Sequence, residues 1–320
     1  MQRAIEIAER GRGKVQPNPL VGCVLVRDGK IIAEGWHGNI GGFHAEQAAI
    51  ADAEERGITT SGSTAYVTLE PCNHHGRTPP CTEALLWAGV ERVIVGALDP
   101  NPTVRGGGLS ALRDVGVSVK NGILEKECKH QMREFIHWCE HRKPFVTLKA
   151  AIDARGRVDC DKQEPSMRFT SPSSIEKSHL LRSENMGILV GVDTVIRDDP
   201  VLTARNVGAQ IQPTRIVIDP LGRMPKDCKL LNDGATKTVV IQSRNSEMND
   251  LDHVERYVIP SVNDDIDVNR ILQLLGDLGI QSIIVEGGPS TWRRFIEHDA
   301  VDAAIPVSYT HLTLPTIGEV

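Results

Sequence analysis

The sequence has no apolar stretch that approaches the roughly 20 uninterrupted residues of a membrane-spanning helix. Its first residues, 1–14, are charged and amphipathic and lack the apolar core of a signal peptide, so we expect a cytoplasmic protein. There is no run of basic residues, and the formal net charge is −6. We therefore expect neither a membrane nor a nucleic acid as a partner.

Cysteine is scarce as well, with 7 residues in a chain of 320. An odd number spread over such a length argues against a disulfide framework and for reduced thiols. Two of them, Cys72 and Cys81, are nine positions apart in LEPCNHHGRTPPC (69–81), a segment dense with histidine, proline and glycine. The chain is also too long for one ordinary core, which predicts two domains.

The first half predicts the element order β-β-α-β-α-β-α, which is typical of a three-layer α/β domain. Segment 21–37 has the pattern of a hairpin with a turn at 27–30. The alanine-rich segment 44–57 has the pattern of a helix that ends at a glycine. A charged segment, 125–144, predicts a final helix and a linker, so we place the first domain at 1–143.

The second half restarts with an apolar strand at 145–152. Continuous apolar strands alternate with helices, which predicts a mostly parallel sheet covered on both faces. We place this second domain at 144–305 and treat 306–320 as an atypical tail. Further strands are predicted at 214–220, 237–243 and 256–261, and helices at 173–185 and 268–279. Segment 187–200 predicts a strand and then a loop, and segment 282–298 predicts a strand, a glycine turn and a helix.

His44, Cys72 and Cys81 offer one imidazole and two thiols, a set of ligands that zinc takes. Three protein ligands leave one position open, as in catalytic zinc sites. Glu46 follows His44 by two residues at the start of a predicted helix, where it lies beside a metal without binding it. Zinc nucleobase deaminases combine H-x-E with P-C-x-x-C, use zinc to activate water and use the glutamate to transfer protons.

Other interpretations remain open on the residues alone. In one, His74 or His75 closes the zinc site as a fourth ligand and makes it structural. In the other, the histidine and the two cysteines are ordinary core residues and bind no metal. A zinc-stabilised binding protein would not need Glu46. A nucleic-acid base deaminase is disfavoured, because the second cysteine follows after eight residues rather than two.

The motifs PNPLVGCVLV (17–26), HAE (44–46), TLEPCNHHGRTPPC (68–81) and DPNP (99–102) resemble the deaminase domain of the bifunctional riboflavin-biosynthesis deaminase/reductase family. The resemblance implies a cytidine-deaminase-like α/β/α fold and hydrolytic deamination of a diaminopyrimidinone that carries a ribosyl 5′-phosphate. It implies catalysis by Glu46 and zinc ligation by His44, Cys72 and Cys81. The substrate-binding residues that it implies are Asn18, His74, Arg77, Asp99 and Asn101, although Asn18, Asp99 and Asn101 also suit plain turns.

The second half resembles the reductase domain of the same family, a dihydrofolate-reductase-like α/β fold that uses NADPH. The resemblance lies in LKAAI (148–152), FTSP (169–172), the long segment 180–205, RIVIDP (215–220) and IIVEGGPSTWRR (283–294). It implies reduction of the opened ribosyl group to a ribityl chain. The implied substrate-binding residues are Ser166, Arg182, Leu202, Arg205 and Glu286. The implied cofactor-binding residues are Ala151, Arg168, Thr194, Asp198, Gly288, Pro289, Ser290, Thr291, Trp292, Arg293 and Arg294.

General chemistry agrees with parts of this assignment. The glycine pair before the helix at 289 suits phosphate binding by backbone N–H groups, and Arg182 and Arg205 suit phosphate clamps. The alternative for Arg182 and for Arg205 is a solvated surface arginine that binds no phosphate.

Three features depart from the family: IDARG at 152–156 replaces SLDG, Arg168 replaces an aromatic residue, and PVSYTHLTLPTIGEV (306–320) resembles nothing in it. We expect this tail to be foreign or frameshifted sequence that truncates the reductase. The alternative function is therefore an active deaminase with a nonfunctional reductase half. We also expect a homo-oligomer.

Overall fold

A computed structural model describes residues 1–74, 79–101, 107–152, 172–244, 251–261 and 265–308. The chain divides into two compact units, Met1–Lys143 and Pro144–Val320. The division falls next to Pro144, where the charged segment of the sequence ends. None of the helices in the described ranges is both long and apolar enough to cross a membrane.

Unit 1 is built on a mixed five-stranded sheet. Its strands are β1 (Gly22–Arg27), β2 (Lys30–Trp36), β3 (Thr64–Leu69), β4 (Arg92–Ala97) and β5 (Ser118–Lys120). Their order is β2-β1-β3-β4-β5, with β1 antiparallel to β2 and β3, and with β3, β4 and β5 parallel. Asp28 and Gly29 both have positive φ angles, which suits the tight turn between β1 and β2.

The helices of unit 1 begin with α1 (Gln2–Ala8), which a 3-10 turn (Glu9–Gly11) follows. The others are α2 (Ala45–Glu55), α3 (Cys81–Trp87), α4 (Gly107–Asp114), α5 (Glu125–Gln131) and α6 (Arg133–His141). Helix α2 lies close against β2, since a Cβ at Gly35 would clash with the backbone of Ala45 and Ala49. The glycine and the buried alanines of α2 thus allow the close packing that fixes where this helix begins.

Unit 2 contains a seven-stranded sheet in which every neighbouring pair is parallel. The strands are β6 (Phe145–Ile152), β7 (Gly187–Gly191), β8 (Thr214–Ile218), β9 (Thr238–Gln242), β10 (Val254–Val258), β11 (Ser282–Val285) and β12 (Ala303–Ser308). Their order is β10-β9-β8-β7-β11-β6-β12. The helices are α7 (Pro172–Glu184), α8 (Val192–Asp198), α9 (Lys229–Asn232), α10 (Val268–Asp277) and α11 (Pro289–Glu297).

The core of unit 2 has one apolar cluster on each face of this sheet. Neighbouring residues of β7 show the division, because Leu189 belongs to one cluster and Ile188 to the other. Side chains of successive strand residues point to opposite faces, so a strand buried on both sides is apolar throughout. The predicted parallel sheet, covered on both faces, is therefore confirmed.

Several elements differ from the sequence prediction, and helices α1 and α9 were not predicted. Segment 125–144 forms two helices, α5 and α6, because the backbone leaves the helical conformation at Met132. Residues 192–198 form α8 where the sequence predicted a loop. Strand β12 was not predicted, and it extends to Ser308, three residues into the segment that we set apart as a tail. The rest of that segment, 309–320, lies outside the described residues.

Candidate active sites

The three predicted zinc ligands come from three junctions of unit 1 and meet at one point. His44 immediately precedes α2, Cys72 follows the end of β3, and Cys81 is the first residue of α3. The Nδ1 atom of His44 lies 3.5 Å from the Sγ atom of Cys72 and 3.3 Å from that of Cys81. All three possible ligand atoms lie within 4.8 Å of one another.

This arrangement fits zinc. With zinc bonds of about 2.0 Å to nitrogen and about 2.3 Å to sulfur, tetrahedral ligands are about 3.5–3.8 Å apart. The observed distances from His44 Nδ1 are close to that range. Among the described residues, no further histidine, cysteine or carboxylate joins the cluster. His74 is exposed and outside it, and His75 lies outside the described residues.

The electrostatics of the cluster favour an ionised ligand. The neighbouring Cys81 thiol, and next His44, lower the pKa of the Cys72 thiol. The backbone N–H of Cys81 also donates to Cys72 Sγ over 3.4 Å. Since the thiolate is the form that binds metals, this shift favours Cys72 as a ligand.

Glu46 lies in the first turn of α2, where it is buried with 3% of its surface exposed. Burial, and next the charge of Cys72, raise the pKa of its carboxyl group to about 7. A carboxyl group with a pKa near neutrality both accepts and releases protons readily, as general acid–base catalysis requires.

Asn18 is held by a histidine that the sequence analysis did not identify. The Nδ2 atom of Asn18 lies 3.0 Å from Nε2 of His37, whose Nδ1 atom lies 2.9 Å from the carbonyl oxygen of Phe43. A ring that donates from Nδ1 to that carbonyl accepts at Nε2 from the Asn18 amide. This arrangement leaves Oδ1 of Asn18 as the acceptor for a ligand. Burial lowers the pKa of His37, which keeps the ring neutral.

Asp99 and Asn101 lie in the loop after β4, and Oδ1 of Asp99 accepts a 2.8 Å hydrogen bond from the Asn101 N–H. Burial raises the pKa of Asp99, while the hydrogen bond from the Asn101 N–H and, more weakly, the charge of His74 oppose this shift. Glu70, which the sequence analysis also missed, accepts from the N–H groups of Asp99 and Gly108 and so fixes this loop to the start of α4. Arg77 lies outside the described residues.

The predicted reductase residues collect along one edge of the sheet in unit 2. Ala151 is near the end of β6, Thr194 and Asp198 are on α8 after β7, and Glu286 comes directly after β11. These strands are parallel, so their carboxyl ends share an edge, and this is where open α/β sheets bind ligands. Ser166 and Arg168 lie outside the described residues.

Arg182 on α7 forms a two-pronged ion pair with Glu286, with N–O distances of 2.7 and 2.8 Å. Its remaining Nη1 donates to the carbonyl oxygen of Thr203 over 3.2 Å. The Nζ atom of Lys149, a residue that the sequence analysis missed, lies 3.5 Å from Glu286. In this structure Arg182 therefore orients Glu286 rather than presenting an open fork to a phosphate.

Leu202 and Arg205 lie in the loop next to Thr203. Leu202 is buried, with a positive φ of 50°, and Arg205 is exposed. The guanidinium of Arg205 donates to the Thr203 hydroxyl over 2.9 Å, and its backbone N–H donates to Nδ1 of His179 over 3.1 Å. The loop thus holds an exposed arginine beside the Arg182–Glu286 pair.

The predicted cofactor residues at the start of α11 separate into two groups. Gly288, Pro289, Ser290 and Arg293 lie at partly or fully exposed positions, and a Cβ built on Gly288 would meet open space. Thr291 packs against Gly191 and Gly287, so it shapes the turn. Trp292 packs against the apolar core, and Arg294 pairs with Asp265 and the Ile266 carbonyl. The last two side chains are thus engaged by unit 2 itself.

Comparisons with known proteins agree with both halves. The family model for the cytidine and deoxycytidylate deaminase zinc-binding region matches residues 1–97. The family model for the RibD C-terminal domain matches residues 144–309. These matches confirm the predicted fold classes, a cytidine-deaminase-like domain and a dihydrofolate-reductase-like domain.

Relatives align along most of the chain. The riboflavin biosynthesis protein RibD of Actinobacillus pleuropneumoniae is 41% identical over 295 residues, which is 91% of this chain and 77% of the relative. RibD of Escherichia coli (strain K12) is 37% identical over 318 residues, or 95% of this chain and 85% of the relative.

Solved structures agree with these relatives. The diaminohydroxyphosphoribosylaminopyrimidine deaminase/5-amino-6-(5-phosphoribosylamino)uracil reductase of Thermotoga maritima is 37% identical, with a TM-score of 0.85 and coverage of 96% of this chain and 84% of that one. RibD of Acinetobacter baumannii is 32% identical, with a TM-score of 0.83 and coverage of 99% and 90%. The chain therefore belongs to the RibD family of riboflavin biosynthesis proteins, which join a zinc deaminase domain to a reductase domain.

Proposed function

We propose that unit 1 deaminates 2,5-diamino-6-ribosylamino-4(3H)-pyrimidinone 5′-phosphate and that unit 2 then reduces the ribosyl group of the product to a ribityl chain. The observation that carries the proposal is the cluster of His44, Cys72 and Cys81 with the buried Glu46 beside it. The resident cofactors are zinc for the deaminase and NADPH for the reductase.

In unit 1, Nδ1 of His44 and the sulfur atoms of Cys72 and Cys81 would hold the zinc ion. Bound zinc supplies a hydrolytic nucleophile at neutral pH. Glu46 accepts a proton and returns it to the leaving amine, so that water and the C–NH2 group become a carbonyl group and ammonia. Its burial, and the effect of the Cys72 charge on its pKa, support a carboxyl group that lies near the cluster without belonging to the ligand set.

The remaining residues of unit 1 would bind the rest of the substrate. Oδ1 of Asn18, oriented through His37, would accept a hydrogen bond from the pyrimidine. Asp99, Asn101 and His74 would line the ribose-phosphate end, and the Glu70 carboxylate supports their loop. Arg77 would contribute a guanidinium to the phosphate.

In unit 2, the residues at the carboxyl edge of the sheet fit a dinucleotide and a phosphorylated sugar. The open space at Gly288, before the first turn of α11, suits the close approach of a cofactor phosphate. Ala151, Thr194 and Asp198 would contact NADPH, which supplies the hydride. Glu286, fixed by Arg182, would bind the opened ribosyl group, and the exposed Arg205 would bind its phosphate.

The purified, zinc-replete chain should release ammonia from the diaminopyrimidinone ribosyl-phosphate and then oxidise NADPH. A zinc chelator should abolish ammonia release, because the ligands no longer hold the metal that provides the nucleophile. The same treated protein should still oxidise NADPH when the deaminated product is supplied, since unit 2 does not use zinc. A coupled enzymatic assay measures the ammonia, and the absorbance of NADPH measures its oxidation.

The outcomes separate the candidate functions. Ammonia release without NADPH oxidation on either substrate would favour the second candidate, a deaminase with a nonfunctional reductase half. That candidate rests on the departures at 152–156, at Arg168 and in the tail 306–320. A folded, zinc-loaded chain that releases no ammonia would contradict the deaminase assignment and favour a zinc-stabilised binding protein.

We also propose that the protein acts in the cytoplasm as a homo-oligomer. The free cysteines of the described residues and the similarity to a riboflavin biosynthesis protein support the location. Exposed apolar side chains of unit 1, among them Trp87 at 74% exposure and Phe43 at 58%, offer surface that another subunit would cover. Sedimentation velocity should give a mass above the 35.0 kDa of one chain.

A further inference from the structure

Gln47 joins two of the three segments that carry the zinc ligands. It is the third residue of α2, and its side chain is buried. Its Oε1 atom accepts a 3.2 Å hydrogen bond from the backbone N–H of His44. Its Nε2 atom donates a 3.0 Å hydrogen bond to the carbonyl oxygen of Pro79, two residues before Cys81. One amide group thus connects the His44 backbone to the Cys81 segment.

The amide suits both contacts, whereas a carboxylate has no proton to donate to the Pro79 carbonyl oxygen. An amide oxygen only accepts and an amide nitrogen only donates, so the two partners fix the orientation of the side chain. Both bonds are partly buried, so removing the amide leaves two backbone groups less well satisfied. Gln47 therefore restrains the backbone at both ends of its bridge.

Other hydrogen bonds hold the two cysteine segments to each other. The N–H of Thr82 donates to the carbonyl oxygen of Cys72 over 3.2 Å, and the Thr82 hydroxyl donates to Oδ1 of Asn73 over 2.8 Å. These bonds set Cys81 against Cys72 but do not involve His44. The thiol–imidazole contacts of His44 would give way to metal bonds, whereas the Gln47 bridge involves no ligand atom and persists.

We propose that Gln47 is a positioning residue of the zinc site, which holds His44 and Cys81 at ligand distance before the metal binds. Residues that orient metal ligands through hydrogen bonds typically change metal affinity by about 10–100-fold when they are replaced. Without the bridge, metal binding would itself have to order the His44 backbone against the Cys81 segment, and that ordering opposes binding. The inference rests on the proposed zinc deaminase function.

The test measures the zinc dissociation constant of the full chain by competition with a chromogenic chelator. Gln47→Ala removes the bridge, and Gln47→Met removes both hydrogen bonds while keeping most of the side-chain volume. Both should bind zinc about 10–100-fold more weakly than the unmodified protein. At saturating zinc, kcat for ammonia release should return to within about threefold, because Gln47 touches neither the substrate nor the reacting atoms.

The matched control is Gln131→Ala. Gln131 is also a buried glutamine of unit 1 that bridges two segments, since its Nε2 donates to the Ile5 carbonyl oxygen and to Glu9 over 2.8 and 2.6 Å. Its loss should lower the stability of unit 1 in a similar way but leave zinc affinity within about twofold. Weaker binding in both Gln47 variants with an unchanged Gln131 variant supports the proposal.

Three results would overturn it. Normal affinity in Gln47→Met would show that volume, not the bridge, supports the site. Equal weakening in the Gln131 variant would show a general effect of stability. If the unmodified chain itself binds no zinc, the proposed function fails and this inference fails with it, whereas normal zinc binding in all the variants overturns the inference alone.

Discussion

Replacing Glu46 by glutamine should lower kcat for ammonia release by about 10²–10⁴-fold, the usual contribution of general acid–base catalysis. Glutamine has nearly the same shape as glutamate, but it neither accepts nor delivers the proton that the leaving amine needs. Burial raises the pKa of Glu46 to about 7, which marks it as the group tuned for this transfer. Since Glu46 is not part of the ligand cluster, the variant should retain zinc.

The measurement is steady-state ammonia release together with the zinc content of the same samples. Glu55→Gln provides the control, because Glu55 lies on the same helix but is exposed, and that variant should keep normal activity. Normal kcat in zinc-loaded Glu46→Gln would exclude this carboxyl group as the proton carrier. Loss of zinc in Glu46→Gln would instead assign it a structural role at the metal site.

The sequence predicted the cluster of His44, Cys72 and Cys81 because metal chemistry restricts both the residue types and their setting. Few side chains bind zinc, and His44, Cys72 and Cys81 all lie at or next to the ends of strands and helices. The parallel sheet of unit 2 was likewise predictable, because strands buried on both faces are apolar throughout.

The residues that support the sites were not predictable in the same way. Glu70, His37 and Lys149 act through partners that are distant in sequence, such as Glu286, which is 137 positions from Lys149. Their residue types are common on protein surfaces, so only the fold reveals the pairing. The same applies to Arg182, whose guanidinium fits a phosphate as well as a carboxylate until Glu286 is seen beside it.

Local sequence also failed where tertiary contacts decide the structure. Strand β12 has no strong strand pattern of its own, yet it pairs with β6 over six residues from Ala303 to Ser308. Helix α8 follows β7 directly and is held by Val192 and Val195, which are buried in the core. Such short elements depend on packing more than on propensity.

Replacing Arg182 by methionine should lower the free energy of unfolding of unit 2 by about 3–5 kcal/mol at pH 7, as expected when one member of a buried ion pair is removed. Only 6% of the Glu286 side chain is exposed, and the variant would leave its carboxylate with Lys149 alone at 3.5 Å. The free energy of unfolding of Arg182→Lys should lie between those of the unmodified protein and Arg182→Met, because lysine keeps the charge but not the two-pronged geometry. Arg270→Met, at an exposed position of α10, is the control and should change stability by less than about 0.5 kcal/mol.

The pH dependence of this loss distinguishes the ion pair from simple packing. Burial alone would raise the pKa of Glu286, but the charges of Arg182 and Lys149 outweigh it and lower the pKa to about 2. A carboxyl group with a lowered pKa stabilises the fold fully above its unfolded pKa of about 4.3, and that stabilisation is lost as the pH falls towards 2. The difference in stability between the unmodified protein and Arg182→Met should therefore shrink from pH 5 to pH 2.

Urea unfolding of the full chain measures this difference, with the transition of unit 2 recognised as the one that a zinc chelator does not shift. A difference that stays constant over this range would assign the loss to packing of the arginine side chain and would remove the support for Glu286 as a carboxylate held ionised at the reductase site.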